Sequence, residues 1–213
     1  MKIVTKSLIS DQKQYIRVLQ RLDELYAELR SDDILRTYEW FESMSKYYIA
    51  LEMASGGDML DRIINGGPYT EGQARQVVKR ILSALKFSQC QGLIHRDIKP
   101  DNFLYRNIDD PMDFALADFG IALVLDRKGP ADHQIFYEVA GTPGYAAPEL
   151  YQMRGYGKRS DVFGVDILAY MALSGRSPWM SRTPYGLLQE TINQPVKFTG
   201  PIWSNISQQG ART

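Results

Sequence analysis

The chain has 213 residues, 44% of them hydrophobic, enough for one large domain or two small lobes around a sizeable core. Its 25 basic and 25 acidic residues cancel to a formal net charge of zero, so no overall field draws nucleic acid or a membrane surface, and any anion must be held by a local site. The single cysteine, Cys90, forms no intrachain disulfide, the start MKIVTKS lacks the apolar run of a secretory signal, and every apolar run is far too short to span a bilayer. The expectation is a globular protein of a reducing compartment, cytoplasmic or nuclear, in which the acceptor-like tripeptide Asn205-Ile-Ser207 is inert.

Residues 2–6 read as a short strand. Ile16, Leu19, Leu22, Leu25, Tyr26 and Leu29 then recur at helical spacing through Arg30. Two β-rich segments follow, 34–41 and 46–53, joined by the polar turn ESMS. The adjacent glycines of MASGGD (53–58) free the backbone where the strand pattern stops and mark a hinge. Thr70 and Gln73 form a capping box ahead of Ala74, Val77, Val78, Ile81, Leu82 and Leu85, which predicts a helix to about Cys90. Residues 121–149 look irregular. SDVFGVDILAYMAL (160–173) is apolar almost all round and predicts a buried helix, and a last helix is expected at 184–193.

Between these elements lie HRDIKPDN (95–102) and DFG (118–120). Phosphoryl transfer asks a protein for positioning and charge neutralisation and for little covalent chemistry. One carboxylate must orient the attacking hydroxyl and take its proton, a cation must offset charge on the moving group, and hard oxygen donors must hold magnesium. Asp97, Lys99, Asn102 and Asp118 supply those types, and their apolar flanks anchor the loops so that the polar groups converge.

The order His95-Arg96-Asp97, Asn102, Asp118-Phe119-Gly120 and Ala147-Pro148-Glu149, over residues 2 to about 210, resembles the eukaryotic protein kinase family. Lys99 and GTPGYAAPE (141–149) resemble the serine/threonine type, and GGDMLDRI and LSGRSPW the calcium/calmodulin-dependent group. The resemblance implies an α+β, two-lobed fold, with 1–53 part of a small β-rich N-lobe and 54–213 most of a mainly helical C-lobe. It implies ATP and Mg2+ as cofactors and protein substrates as partners, with no nucleic acid or membrane, and leaves calmodulin binding open. It makes Asp97 the base, Lys99 the phosphate-binding lysine, and Asn102 and Asp118 the metal ligands. Lys2 resembles the lysine of the nucleotide-binding strand, Leu51 the gatekeeper, and the backbones of Glu52 and Ala54 the adenine contacts. Asp58 resembles a ribose or substrate contact. Asp58 and Asp101 would suit a peptide with arginine before its phosphoacceptor, or are ordinary surface acids. His95 reads as a packed structural histidine, and His133 as a solvated loop residue. Asp161 reads as a helix N-cap that the family also bonds to the catalytic-loop backbone.

Several positions depart from the family pattern. No G-x-G-x-x-G precedes Lys2, so the small sheet is expected to keep three of five strands and expose an edge. The helix position that normally pairs with the lysine falls on Leu22, with Asp23 and Glu24 about 100° and 200° around the helix, so that ion pair is not expected. The late arginine that usually pairs with Glu149 is missing, which leaves Glu149 to another partner or to water. Asp166, on an otherwise apolar helix, is expected to be costly if buried unpaired. Glu138 precedes Thr142 by four residues, in the activation segment where relatives often carry a phosphorylated threonine. Its fixed charge either substitutes in part for a phosphate by pairing with Arg96 or is simply solvated. A kinase-like docking scaffold that transfers no phosphate is the alternative to an enzyme.

Overall fold

The computed structural model describes residues 1–28, 31–126 and 134–207. Strands β1 (Lys2–Thr5), β2 (Thr37–Glu42) and β3 (Lys46–Leu51) form an antiparallel sheet in the order β1-β3-β2, with helix α1 (Gln12–Glu28) against one face. The first strand ends at Thr5 and not at residue 6, because Lys6–Leu8 turn into a 3-10 helix. The second starts at Thr37 and not at residue 34: Ile34 and Leu35 are buried and bond instead to Leu116, on a strand of another sheet. Among the described residues β1 pairs with β3 alone. Tyr15 and Leu19 of α1 pack on Tyr47 and Ile49 of the sheet, while Val18, Leu22 and Leu25 join the main core.

Below the sheet lie α2 (Met59–Gly66), α3 (Glu71–Cys90) and α5 (Arg159–Ser174), with short α4 (Pro148–Tyr151) and α6 (Pro184–Asn193). The Thr70–Gln73 capping box is present, and α3 buries Ala74, Val77, Ile81 and Leu85 at helical spacing against α5. Helix α2 lies just past the hinge, where the sequence reading placed no helix. Asp58 caps it by accepting from Asp61 N at 2.8 Å.

Helix α5 corrects one expectation. It is not apolar all round in its burial, since Asp166 is solvent-exposed, and so is Val162 beside the same face. Partial desolvation still holds the Asp166 pKa above the usual carboxylate range. On the opposite face Gly164 lets the helix press against Ile98, where an added Cβ would sit 2.6 Å from the Ile98 carbonyl oxygen. Gly164→Ala is therefore expected to destabilise by about 1–3 kcal/mol, read as a fall of roughly 2–10 °C in the thermal midpoint, despite alanine's better helix propensity.

Two small antiparallel pairs bring the motif loops together. β5 (Phe103–Tyr105) pairs with β6 (Phe114–Leu116) and β4 (Leu93–Ile94) with β7 (Leu123–Val124), the latter inside the stretch expected to be irregular. The register Phe103↔Leu116 sets Asn102 opposite Ala117, whose N–H donates to the Asn102 carbonyl at 2.8 Å. Loops 95–102 and 117–122 are thus side by side because their flanking residues are paired strands, buried almost completely.

Candidate active site

The loop after β4 is held from beneath by α5. Asp161, 2% exposed, accepts from His95 N at 2.9 Å and Arg96 N at 2.8 Å. Burial pushes its pKa up, against the pull of His95 and these two donors. They hold Arg96 in the left-handed region at φ 67°, a conformation that costs a non-glycine residue about 1 kcal/mol or more. His95 is fully buried. Its Nδ1 accepts from Asp97 N at 3.3 Å, which leaves Nε2 to donate to the Ala117 carbonyl at 3.0 Å, so the ring is a strut between the two loops. Phe119 packs edge-on against it at 4.8 Å.

On this support three polar side chains converge. Lys99 Nζ lies 2.9 Å from Asp97 Oδ2, and Asn102 Nδ2 donates to the Asp97 carbonyl at 2.7 Å and to Oδ2 at 3.2 Å. Thr142 completes the set: its hydroxyl donates to Asp97 Oδ1 at 2.6 Å and accepts from Lys99 Nζ at 2.8 Å. The sequence reading placed Thr142 only in the activation segment. Its contact with the loop spans more than forty positions, and no local pattern announces it.

Asp118 stands apart from that knot, at φ 58°, with Oδ1 accepting from Gly120 N at 3.1 Å and ion-paired to Lys2 Nζ. Partial burial works against its charge, but Lys2 and the Gly120 N–H outweigh it and hold the carboxyl below the usual range. This pairing supplies the partner that α1 does not. Leu22 is buried in the core, Asp23 accepts from Trp40 Nε1 at 2.6 Å, and Glu24 pairs with Arg21 at 3.0 Å.

Lys2, Asn102 and Asp118 line one cleft of about 200 Å³ between sheet and helical region, with Leu51, Leu104 and Ala117 as its apolar wall. Both donations by the Asn102 amide nitrogen point at Asp97, so its Oδ1 is left as an acceptor, and Asn102 and Asp118 line the same cleft. Two hard oxygen donors and one ammonium suit magnesium with phosphate, an ion that takes few protein ligands and completes its shell from the nucleotide and water. Among the described residues no cluster of three or more His, Cys, Asp or Glu would hold a metal alone.

The other candidate residues fall around this centre. Asp101 is exposed on the cleft rim. Asp58 forms a bridge with Leu104 while capping α2. Ala54 packs with Leu51 and Leu104. Glu52 N donates to the Arg36 carbonyl at 2.8 Å, and its carboxylate pairs with Arg106 at 2.5 Å. Glu138 does reach Arg96, Oε2 to Nη1 at 3.2 Å, and the same guanidinium donates to Ile121 O at 2.6 Å and Tyr156 OH at 2.9 Å. Among the described residues no side-chain hydrogen bond or ion pair reaches Glu149. His133 lies outside the described residues.

Residues 1–212 match the protein kinase domain family. The chain belongs to that family. It is 36% identical over 208 residues to a calcium/calmodulin-dependent protein kinase of Metarhizium anisopliae, covering 98% of this chain and 53% of the relative. It is 33% identical over 180 residues to the calcium/calmodulin-dependent protein kinase type 1 of Caenorhabditis elegans, covering 84% and 50%. A CDPK-related protein kinase of Daucus carota is 30% identical over 209 residues, with 98% and 33% covered. The chain thus spans about half the length of the calcium/calmodulin-dependent relatives it matches here. Its α+β architecture is that of the family, and no helix among the described residues is long and apolar enough to cross a membrane.

Proposed function

We propose that this kinase domain transfers the terminal phosphoryl group of ATP to serine or threonine hydroxyls of proteins, with magnesium. The observation that carries the reading is the Thr142 hydroxyl held between Asp97 and Lys99 at 2.6 and 2.8 Å. A hydroxyl there has a carboxylate to take its proton and an ammonium to offset charge as a phosphoryl group arrives. A substrate hydroxyl would meet the same pair.

Bound magnesium would neutralise the phosphate oxygens and draw charge from the departing one. Asn102 Oδ1 and Asp118 are the residues to hold it, and Lys2 the cation for the remaining phosphate charge. Leu51, Leu104 and Ala117 offer the flat apolar surface an adenine needs, with the backbones of Glu52 and Ala54 at its edge. Asp58 and Asp101 favour a substrate with basic residues before the phosphoacceptor.

The direct test is a thermal-shift titration with ATP, with and without magnesium, followed by phosphate transfer to a serine peptide bearing an arginine a few residues upstream. A magnesium-dependent shift with transfer supports the enzyme. The second reading, a docking module, draws on the Lys2–Asp118 pair and on Leu22 in the helix position; a folded chain that shows neither shift nor transfer would establish it.

Glu138 is proposed to stand in partly for a phosphate. Its carboxylate is two-thirds exposed while Arg96 is 9% exposed, so the pair is screened on one side and its effect is modest. Glu138→Gln is expected to lower transfer activity about five-fold without changing the thermal midpoint; unchanged activity would make it a plain surface acid.

A further inference from the structure

Two polar side chains that line the cleft, Thr37 and Tyr15, have no role in this reading. Helix α1 turns Tyr15, Val18, Leu19 and Leu22 into it, and of these only Tyr15 carries a hydrogen-bonding side chain. The neighbouring acids Asp23 and Glu24 are occupied by Trp40 and Arg21. Among the described side chains Lys2 therefore meets no carboxylate of α1, and it uses Asp118, the very group that a magnesium nucleotide would claim. A carboxylate shared with a divalent cation no longer satisfies an ammonium in full.

Tyr15 stands where a replacement acceptor is needed. Lys2, Tyr15 and Gly120 are the residues that line both the cleft and a second cavity of about 260 Å³, which extends to Arg96 and Glu138. Its ring is 5% exposed and packed on Tyr47 at 5.2 Å between centroids, so the phenol is fixed in the wall. Burial, and next the Asp118 charge, push its pKa up to about 12, so at neutral pH it keeps its proton and remains both donor and acceptor.

We propose that Tyr15 is a positioning residue for Lys2: its phenolic oxygen accepts from the Lys2 ammonium when Asp118 is engaged by the magnesium nucleotide, replacing the acid that α1 lacks at Leu22. It acts through Lys2 and touches no reacting atom. The inference rests on the kinase reading above.

Tyr15→Phe keeps the ring and its packing and removes only the hydroxyl. In titrations of the full chain, the MgATP Kd is expected to rise about ten-fold, the worth of one hydrogen bond to a charged group. Adenosine, which has no phosphates, should bind as before, and the thermal midpoint should stay within about 2 °C. An unchanged MgATP Kd in Tyr15→Phe, with the parent binding normally, overturns the role of Tyr15 and leaves the kinase reading intact. A parent chain that binds neither MgATP nor adenosine overturns both.

Discussion

Asp97→Asn is expected to lower the rate of phosphoryl transfer by about 10²–10⁴-fold while leaving the MgATP Kd within about two-fold. The two oxygens of Asp97 have separate duties: Oδ1 accepts from the Thr142 hydroxyl at 2.6 Å, and Oδ2 faces Lys99 at 2.9 Å. An amide keeps one acceptor oxygen at most and turns an NH2 toward either a hydroxyl or an ammonium, so one contact is lost whichever way it is flipped. It also takes up no proton. Nucleotide affinity is spared because the cleft is lined by Lys2, Asn102 and Asp118, with Asp97 behind them. Single-turnover transfer to a peptide, measured beside nucleotide titration, separates the two effects. Transfer at the parent rate in Asp97→Asn would place the proton acceptor elsewhere.

Asp161→Ala is expected to be the most damaging single change to stability, at about 3 kcal/mol or more and a thermal midpoint lower by roughly 6–12 °C. The substitution strands two buried donors, His95 N and Arg96 N, and removes the contacts that keep Arg96 in a left-handed conformation. Its pH dependence has a definite sign. Burial raises the Asp161 pKa, so in the window above the ordinary carboxylate value of 3.8 the folded state holds a proton that the unfolded chain has released. Stability from this group is greatest below that value and declines as pH rises through the raised one. Chemical denaturation of parent and variant across that range should show a gap that narrows with rising pH. A gap under 1 kcal/mol at every pH would mean that the loop is held by His95 and the β4–β7 pair alone.

The site was legible from the sequence where its residues are neighbours in the chain, and obscure where they meet across it. HRDIKPDN puts Asp97, Lys99 and Asn102 within six positions, and a loop that short between buried strands has little choice but to gather them. Thr70 and Gln73 announced the start of α3 through a purely local hydrogen-bond exchange. The partner of Lys2 could not be read that way, because Asp118 lies 116 positions on and the helix acids that seemed nearer face elsewhere. Asp166 illustrates a different blind spot. The segment 160–173 is so rich in apolar residues that it shows no polar stripe, yet Asp166 still finds solvent, and only tertiary packing decides which side is covered. Helix α2 was missed because glycines bracket its eight residues, a composition that reads as turn.

The position of Lys2 has a thermodynamic consequence for the whole cleft. The ammonium sits on a strand of the three-stranded sheet and the carboxylate it meets on a loop of the helical region, so the pair ties the two sides of the cleft together. A nucleotide whose cation drew on Asp118 would loosen that tie while bridging the same two sides itself. Amide exchange along residues 2–5 and 118–120 should therefore change together when nucleotide binds.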